Sequence, residues 1–263
     1  VYAGDNAVLS VQISDSTSVA TADSGAAVFQ SVTPQTASPV PAGAAGNKGT
    51  ATIGAVSATG TSIAAENDSY AINFSVNAGN TTYTVTDTTT NTVLTPPTTV
   101  PPTPAPTYTA GASIALGTGM SVAISGTPAN NDSFTVTPAA NTTNSNIFST
   151  IQSMITALQT PADTPAAAAT LQNSLAAGLT QVQNTLNNVT AVQAAVGGRE
   201  QQIQAMQTVN QTQSTQNKTA LSGLVATNLT QTISQYTQTQ FSLQASQEAF
   251  AKVQQMSLFQ YLQ

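Results

Sequence analysis

The sequence predicts an α+β multidomain fold, with a β-rich N-terminal half of antiparallel strands followed by long α-helices of coiled-coil type. Three observations carry this expectation. Thr- and Val-rich segments alternating with a period of two fill the chain up to about residue 145. Apolar residues at helical spacing take over after that point. All 13 prolines lie at or before Pro165, so no later residue lacks the N–H that a helix interior needs.

The strands come first. Val8-Leu9-Ser10-Val11-Gln12-Ile13 follows a Gly4-Asp5 turn. Tyr70 to Val76 alternates apolar with polar, and Thr81 to Thr86 repeats the pattern after a Gly79-Asn80 turn, so the two read as a hairpin. Met120 to Ile124 and Phe134 to Val136 complete the set. Their Thr and Val content suits a pleated surface, where β-branched side chains are at ease. Thr95 to Pro106 is proline-rich, and reads as a stiff surface excursion rather than a polyproline ligand for an SH3-like groove. The Ala/Gly-rich run Pro39 to Thr50 reads as a loop.

The helices follow. Asn146 stands as an N-cap before Ile147-Phe148, and apolar residues recur at 151, 154, 155 and 158. Pro161 to Pro165 interrupts that helix. A second pattern, Leu171, Leu175, Leu179, Val182, Leu186, Val189, Val192 and Val196, approaches a heptad seam. Gly197-Gly198 breaks it, and Asn210 to Thr219 is almost wholly polar. Apolar spacing returns at Leu221 and continues through Leu229, Ile233, Tyr236, Leu243, Phe250, Val253, Met256, Leu258, Phe259 and Leu262. An amphipathic helix buries its stripe against something or frays. The partner of this one is expected on another chain or in a segment missing from this one. Val1 is not an initiator Met, so the N-terminus reads as trimmed, while the C-terminus reads as natural.

Composition narrows function. Charged residues make up 5% of the 263, and the net charge is −6. The four bases, Lys48, Arg199, Lys218 and Lys252, are scattered, which speaks against nucleic-acid binding. No apolar run is long enough for membrane insertion. With neither His nor Cys, the usual catalytic triads, thiolate sites and zinc motifs cannot be built, and no cofactor fingerprint is present. No catalytic, cofactor or metal residue is assigned, and the chain reads as a non-enzyme. Calcium at Glu66, Asp68 or Asp132 lacks the loop that would converge six oxygens, so Asn67-Asp68-Ser69 and Asn131-Asp132-Ser133 read as Asx turns.

The tail, Asn228-Leu229-Thr230-Gln231-Thr232-Ile233-Ser234 through Phe250-Ala251-Lys252-Val253-Gln254-Gln255-Met256-Ser257-Leu258-Phe259-Gln260-Tyr261-Leu262, resembles the C-terminal helix of the bacterial flagellin family. Its Ser-Leu-Phe-x-Tyr-Leu ending is similar to that of the members that join hook to filament. Val189 to Gly197-Gly198-Arg199, with the Gln-rich helix that follows, resembles the family's helical turn of Val-Gly-x-Arg type, and Tyr2-Ala3-Gly4-Asp5 with Gly25 to Phe29 resembles the passage into a β insert. Gly111 to Ile114, Met120 to Val122, Ile124 to Ala129 and Asp132 to Phe134 resemble the strands returning from it. Thr227-Asn228 departs from the acidic residues usual before the last helix, and Asn131 replaces a glycine.

The resemblance implies a secreted structural subunit of the flagellum, exported by the flagellar type III route and located outside the cell. Its implied partners are copies of itself, a hook-side junction protein and flagellin, with a cytoplasmic export chaperone on the C-terminal helix before secretion. It further implies strands at the edge of a helical domain in 1–30, an outward-projecting β domain in 31–140, a long-helix rod in 141–227 and an inner-tube helix in 228–263. The assembly and chaperone-binding residues are then Leu229, Ile233, Tyr236, Leu243, Phe250, Val253, Met256, Leu258, Phe259 and Leu262. Rival readings are filament flagellin, a surface adhesin with a β head and coiled-coil stalk and, more distantly, an exported glycan hydrolase.

Overall fold

The computed structural model describes residues 4, 6–14, 16–32, 37–58, 68–96, 104–117, 119–139 and 146–255. The chain forms two compact units, residues 1–199 and 200–263.

Among the described residues, the strands all lie in the first unit. β1 (Ser10–Ser14) and β2 (Thr17–Ala20) form an antiparallel ribbon of their own. A short helix, α1 (Gly25–Phe29), follows and is capped by Ser24, whose hydroxyl accepts from the Ala27 N–H. Then come β3 (Val40–Gly43), β4 (Thr52–Ala58), β5 (Tyr70–Asn77), β6 (Asn80–Asp87), β7 (Thr92–Thr95), β8 (Ser113–Ala115), β9 (Met120–Ser125) and β10 (Ser133–Thr137). They build a five-stranded sheet in the order β3-β10-β5-β6-β7 and a three-stranded sheet in the order β4-β9-β8. Every pairing is antiparallel.

One core joins the two sheets. Tyr70, Ile72 and Phe74 of β5, Val85 of β6, and Phe134 and Val136 of β10 supply one side. Ile53 of β4, Ile114 of β8, and Met120, Val122 and Ile124 of β9 supply the other. The two-residue alternation read from the sequence puts these side chains on the inner faces, as a sandwich requires. Phe74 lies at its centre, edge-on to Tyr108 at 5.1 Å and to Phe134 at 5.8 Å between ring centroids. The Tyr108 hydroxyl ends 2.8 Å from the Ile124 carbonyl oxygen and 2.9 Å from that of Gly126, so the half-buried ring leaves no stranded polar tip.

The expected hairpin is β5–β6, paired from Tyr70↔Asp87 to Asn77↔Asn80. Its turn falls one residue earlier than expected, on Ala78 and Gly79, with φ of 50° and 80°. Two positive φ values match the right-handed twist of the flanking strands, and glycine takes the second without strain. The run Pro39 to Thr50, expected as a loop, contains β3, where Pro41 is fully buried. Proline is tolerated there because β3 is an edge strand, paired to β10 alone. Residues 97–103 of the proline-rich stretch lie outside the described residues.

Two helices complete the picture. α2 (Ile147–Gln159) is capped as expected, with Asn146 Oδ1 accepting from the Phe148 N–H at 2.9 Å. After the Pro161–Thr164 link, α3 (Pro165–Gln255) starts with Thr164 as cap and proline in the first turn. It then runs unbroken for 91 residues, through Gly197-Gly198 and the polar stretch where the sequence pattern weakens. Residues 165–199 of it belong to the first unit and the remainder to the second. Among the described residues, no helix is long and apolar enough to cross a membrane.

Candidate functional site

Within the first unit, α3 meets the β segments through amides rather than leucines. Asn173 is buried and acts as a substitute peptide on the open edge of β4: its Oδ1 accepts from Ile53 N at 2.9 Å, and its Nδ2 donates to Ala51 O at 3.2 Å. Three helical turns on, Asn184 does the same for Ser38, accepting from its N–H and donating to its carbonyl, both at 2.8 Å. Asn188 donates to the carbonyls of Ala27 and Val28 at 2.9 Å each. These amides satisfy backbone groups that no strand pairs, which is what burial of a sheet edge demands. Gly43 makes room for the first of them, since a Cβ there would sit 2.7 Å from Asn173 Nδ2.

This face was not legible as such. The sequence pointed to the seam from Leu171 to Val196, yet Leu179 and Leu186 are exposed while Asn173, Asn184, Thr185 and Asn188 are buried. The signal that could have found it is the spacing of Asn173, Asn184 and Asn188, at 11 and 4 residues, which puts all three on one side of a helix. On α2 likewise, Phe148, Ile151, Ile155 and Leu158 are exposed.

Two buried acids are held by turns. Asp132 accepts from the N–H groups of Lys48, Gly49 and Ala129 at 2.8 to 2.9 Å, tying the 44–50 loop to the turn before β10. Asp132 thus serves a turn, but by reaching back to Ala129 and across to a distant loop rather than through the expected Asx turn, and both carboxylate oxygens are occupied by donors. Glu66 and Asn67 lie outside the described residues. Asp87 closes the β6–β7 turn, accepting from the Thr90 hydroxyl at 2.6 Å and from the Thr89 N–H at 2.8 Å. Burial pushes its carboxyl up, the Thr90 and Thr89 donors push it down, and the donors prevail, so it titrates below the ordinary carboxylate range. Asp23 and Arg199 form a bidentate pair at 2.7 and 2.8 Å. The hydrogen bonds from Arg199 hold the Asp23 carboxyl below its usual range. Among the described residues, no three acids gather where a metal ion could be held.

The residues singled out for assembly lie in the second unit. Leu229, Ile233, Tyr236, Leu243, Phe250 and Val253 all fall on α3 and are exposed, between 55% and 66%. Met256, Leu258, Phe259 and Leu262 lie outside the described residues. From 200 to 255, every residue whose side chain is described is exposed except Met206. The arrangement holds one feature missed in the sequence: Leu229, Tyr236, Leu243 and Phe250 recur at intervals of seven. Ile233 follows the first of them by four residues and Val253 follows the last by three, which widens the column into a stripe.

The two-sheet sandwich and the long helix are similar in fold to those of flagellar hook-associated proteins. More narrowly, the similarity is to the flagellar junction protein FlgL, also called hook-associated protein 3. FlgL from Legionella pneumophila superposes with a TM-score of 0.65 and 30% identity, over 80% of this chain and 63% of that one. A second Legionella structure, of hook-associated protein-3, gives 0.70 and 29% over 85% and 66%. FlgL from Xanthomonas campestris gives 0.65 and 26% over 85% and 67%. By sequence, the chain is 33% identical over 124 residues to flagellar hook-associated protein 3 of Escherichia coli K12. It spans 39% of that relative's length. No family model matches the chain.

Proposed function

We propose that this chain works as a structural subunit of the bacterial flagellum at the junction of hook and filament, and that residues 200–255 of α3 carry its assembly surface. The observation that supports this best is the exposed column Leu229, Tyr236, Leu243 and Phe250. Large apolar side chains repeated every seven residues suit a second helix wound around the first. They do not suit a strand or a small ligand. The same stripe serves two occupants in turn, a cytoplasmic export chaperone before secretion and neighbouring subunits after it. Those neighbours are copies of itself, a hook-side junction protein and flagellin. In this reading residues 31–140 project outward and 228–263 lie towards the inner tube, after export through the flagellar apparatus. The work is mechanical: one helical lattice is adapted to another, with no reaction catalysed.

Deletion of the gene, followed by electron microscopy of the cells and assay of the medium for flagellin, tests the role. The expected outcome is bare hooks with unpolymerised flagellin outside the cell. Normal filaments would refute the reading, and filament loss with no flagellin anywhere would make the chain flagellin itself.

A further inference from the structure

Segment 23–28 touches α3 twice, and its two contacts bracket a pair of glycines. On one side Asn188 donates to Ala27 O and Val28 O at 2.9 Å. On the other, Arg199 grips Asp23 with both terminal guanidinium nitrogens. Between them stand Gly197 and Gly198, in the interior of a helix. Close packing is not the reason for glycine here, because a Cβ at either position would meet no heavy atom within 4 Å. What the pair does is weaken the helix, by about fivefold per glycine relative to alanine. Beyond Arg199 the exposed residues of α3 offer no packing that would restore the loss.

We propose that Gly197-Gly198 is a hinge in α3, splinted by segment 23–28 and latched by the Asp23–Arg199 pair. With the latch closed, the held part of the helix extends through Arg199. With it open, the held part ends near Asn188, and the backbone from 189 to 199 is free to bend or fray. A bidentate guanidinium–carboxylate contact suits a latch, since it fixes direction as well as distance and breaks without disturbing a core. On the junction reading above, such a hinge lets subunits in two lattices aim the same helix differently. The hinge itself is tested apart from that reading.

The test is amide hydrogen exchange of the full chain as a dilute monomer. In the parent, slow exchange should continue along α3 to Arg199. In Asp23→Asn, exchange at 193–199 should rise at least tenfold while amides 177–188 keep their protection, and Arg199→Gln should reproduce the retreat from the other side. Adding Gly197→Ala and Gly198→Ala to Asp23→Asn should slow exchange at 193–199 again by about twentyfold. Unchanged exchange in both single variants would overturn the latch. Uniform acceleration from residue 177 onward, or no recovery with the alanines, would overturn the hinge.

Discussion

The two stretches of α3 make an instructive pair. They belong to one helix and share a composition poor in charge and rich in Thr, Gln and Asn. Yet from 165 to 199 the buried side chains include Asn173, Asn184 and Asn188, while from 200 to 255 Leu229, Tyr236, Leu243 and Phe250 stand in solvent. Hydropathy does not decide which side chains are covered; the neighbour does. In the first stretch the neighbours are unpaired backbone groups, and an amide offers them a donor on one atom and an acceptor on another, as a peptide does. In the second, no described residue covers the column, and its leucines and aromatics are left exposed.

The sharpest way to break this contrast is to truncate one residue from each setting. Phe134→Ala should destabilise the sandwich by about 3–5 kcal/mol, because the ring is fully buried against Phe74 and would leave a cavity. Phe250→Ala, at 66% exposure, should change the monomer's stability by no more than about 0.5 kcal/mol. Denaturant melts of both variants decide it, and equal losses would show that the column is packed within the subunit after all.

Next in size is Asp132→Ala, which strands three N–H groups of the Lys48–Ala129 turn region and should cost about 3 kcal/mol. Asn173→Ala, which leaves Ile53 N and Ala51 O without their partner, should cost about 2 kcal/mol in the same melts. If it costs nothing, the amide face is incidental. The smallest effect is on pH. Asp87 titrates lower in the folded chain than in the unfolded one, so the unfolded state takes up its proton first as pH falls. The stability it contributes is full above the unfolded carboxylate value of about 3.9 and is lost as pH drops through the lower, folded value. Asp87→Asn should flatten that slope, measured as the midpoint of thermal unfolding between about pH 5 and 2.

Much of this fold was legible from sequence because its central strands obey one rule each. Tyr70 to Val76 and Met120 to Ile124 alternate cleanly, since one face of each packs on the core and the other does not. β3 and β4 were not legible. β3 is four residues long and contains Pro41, and β4 is broken by a bulge between Ile53 and Val56, so neither shows the period that identifies a strand. The first stretch of α3 misled in the opposite way. Its leucine spacing is real, but the face that meets the sandwich is set by stray peptide groups at Ser38, Ala51 and Ile53, which no local pattern reveals. For the second stretch, single apolar positions were legible, whereas the seven-residue column emerges once the helix is known to be unbroken.

The most direct test of the account is to replace the column alone. A full-length variant carrying Leu229→Ala, Tyr236→Ala, Leu243→Ala and Phe250→Ala would be returned to cells lacking the gene. The account predicts bare hooks and lost motility, with the sandwich melting at the parent's temperature. Filaments and motility restored to parental levels would contradict it, because the column would then be a bystander and assembly would run through another surface.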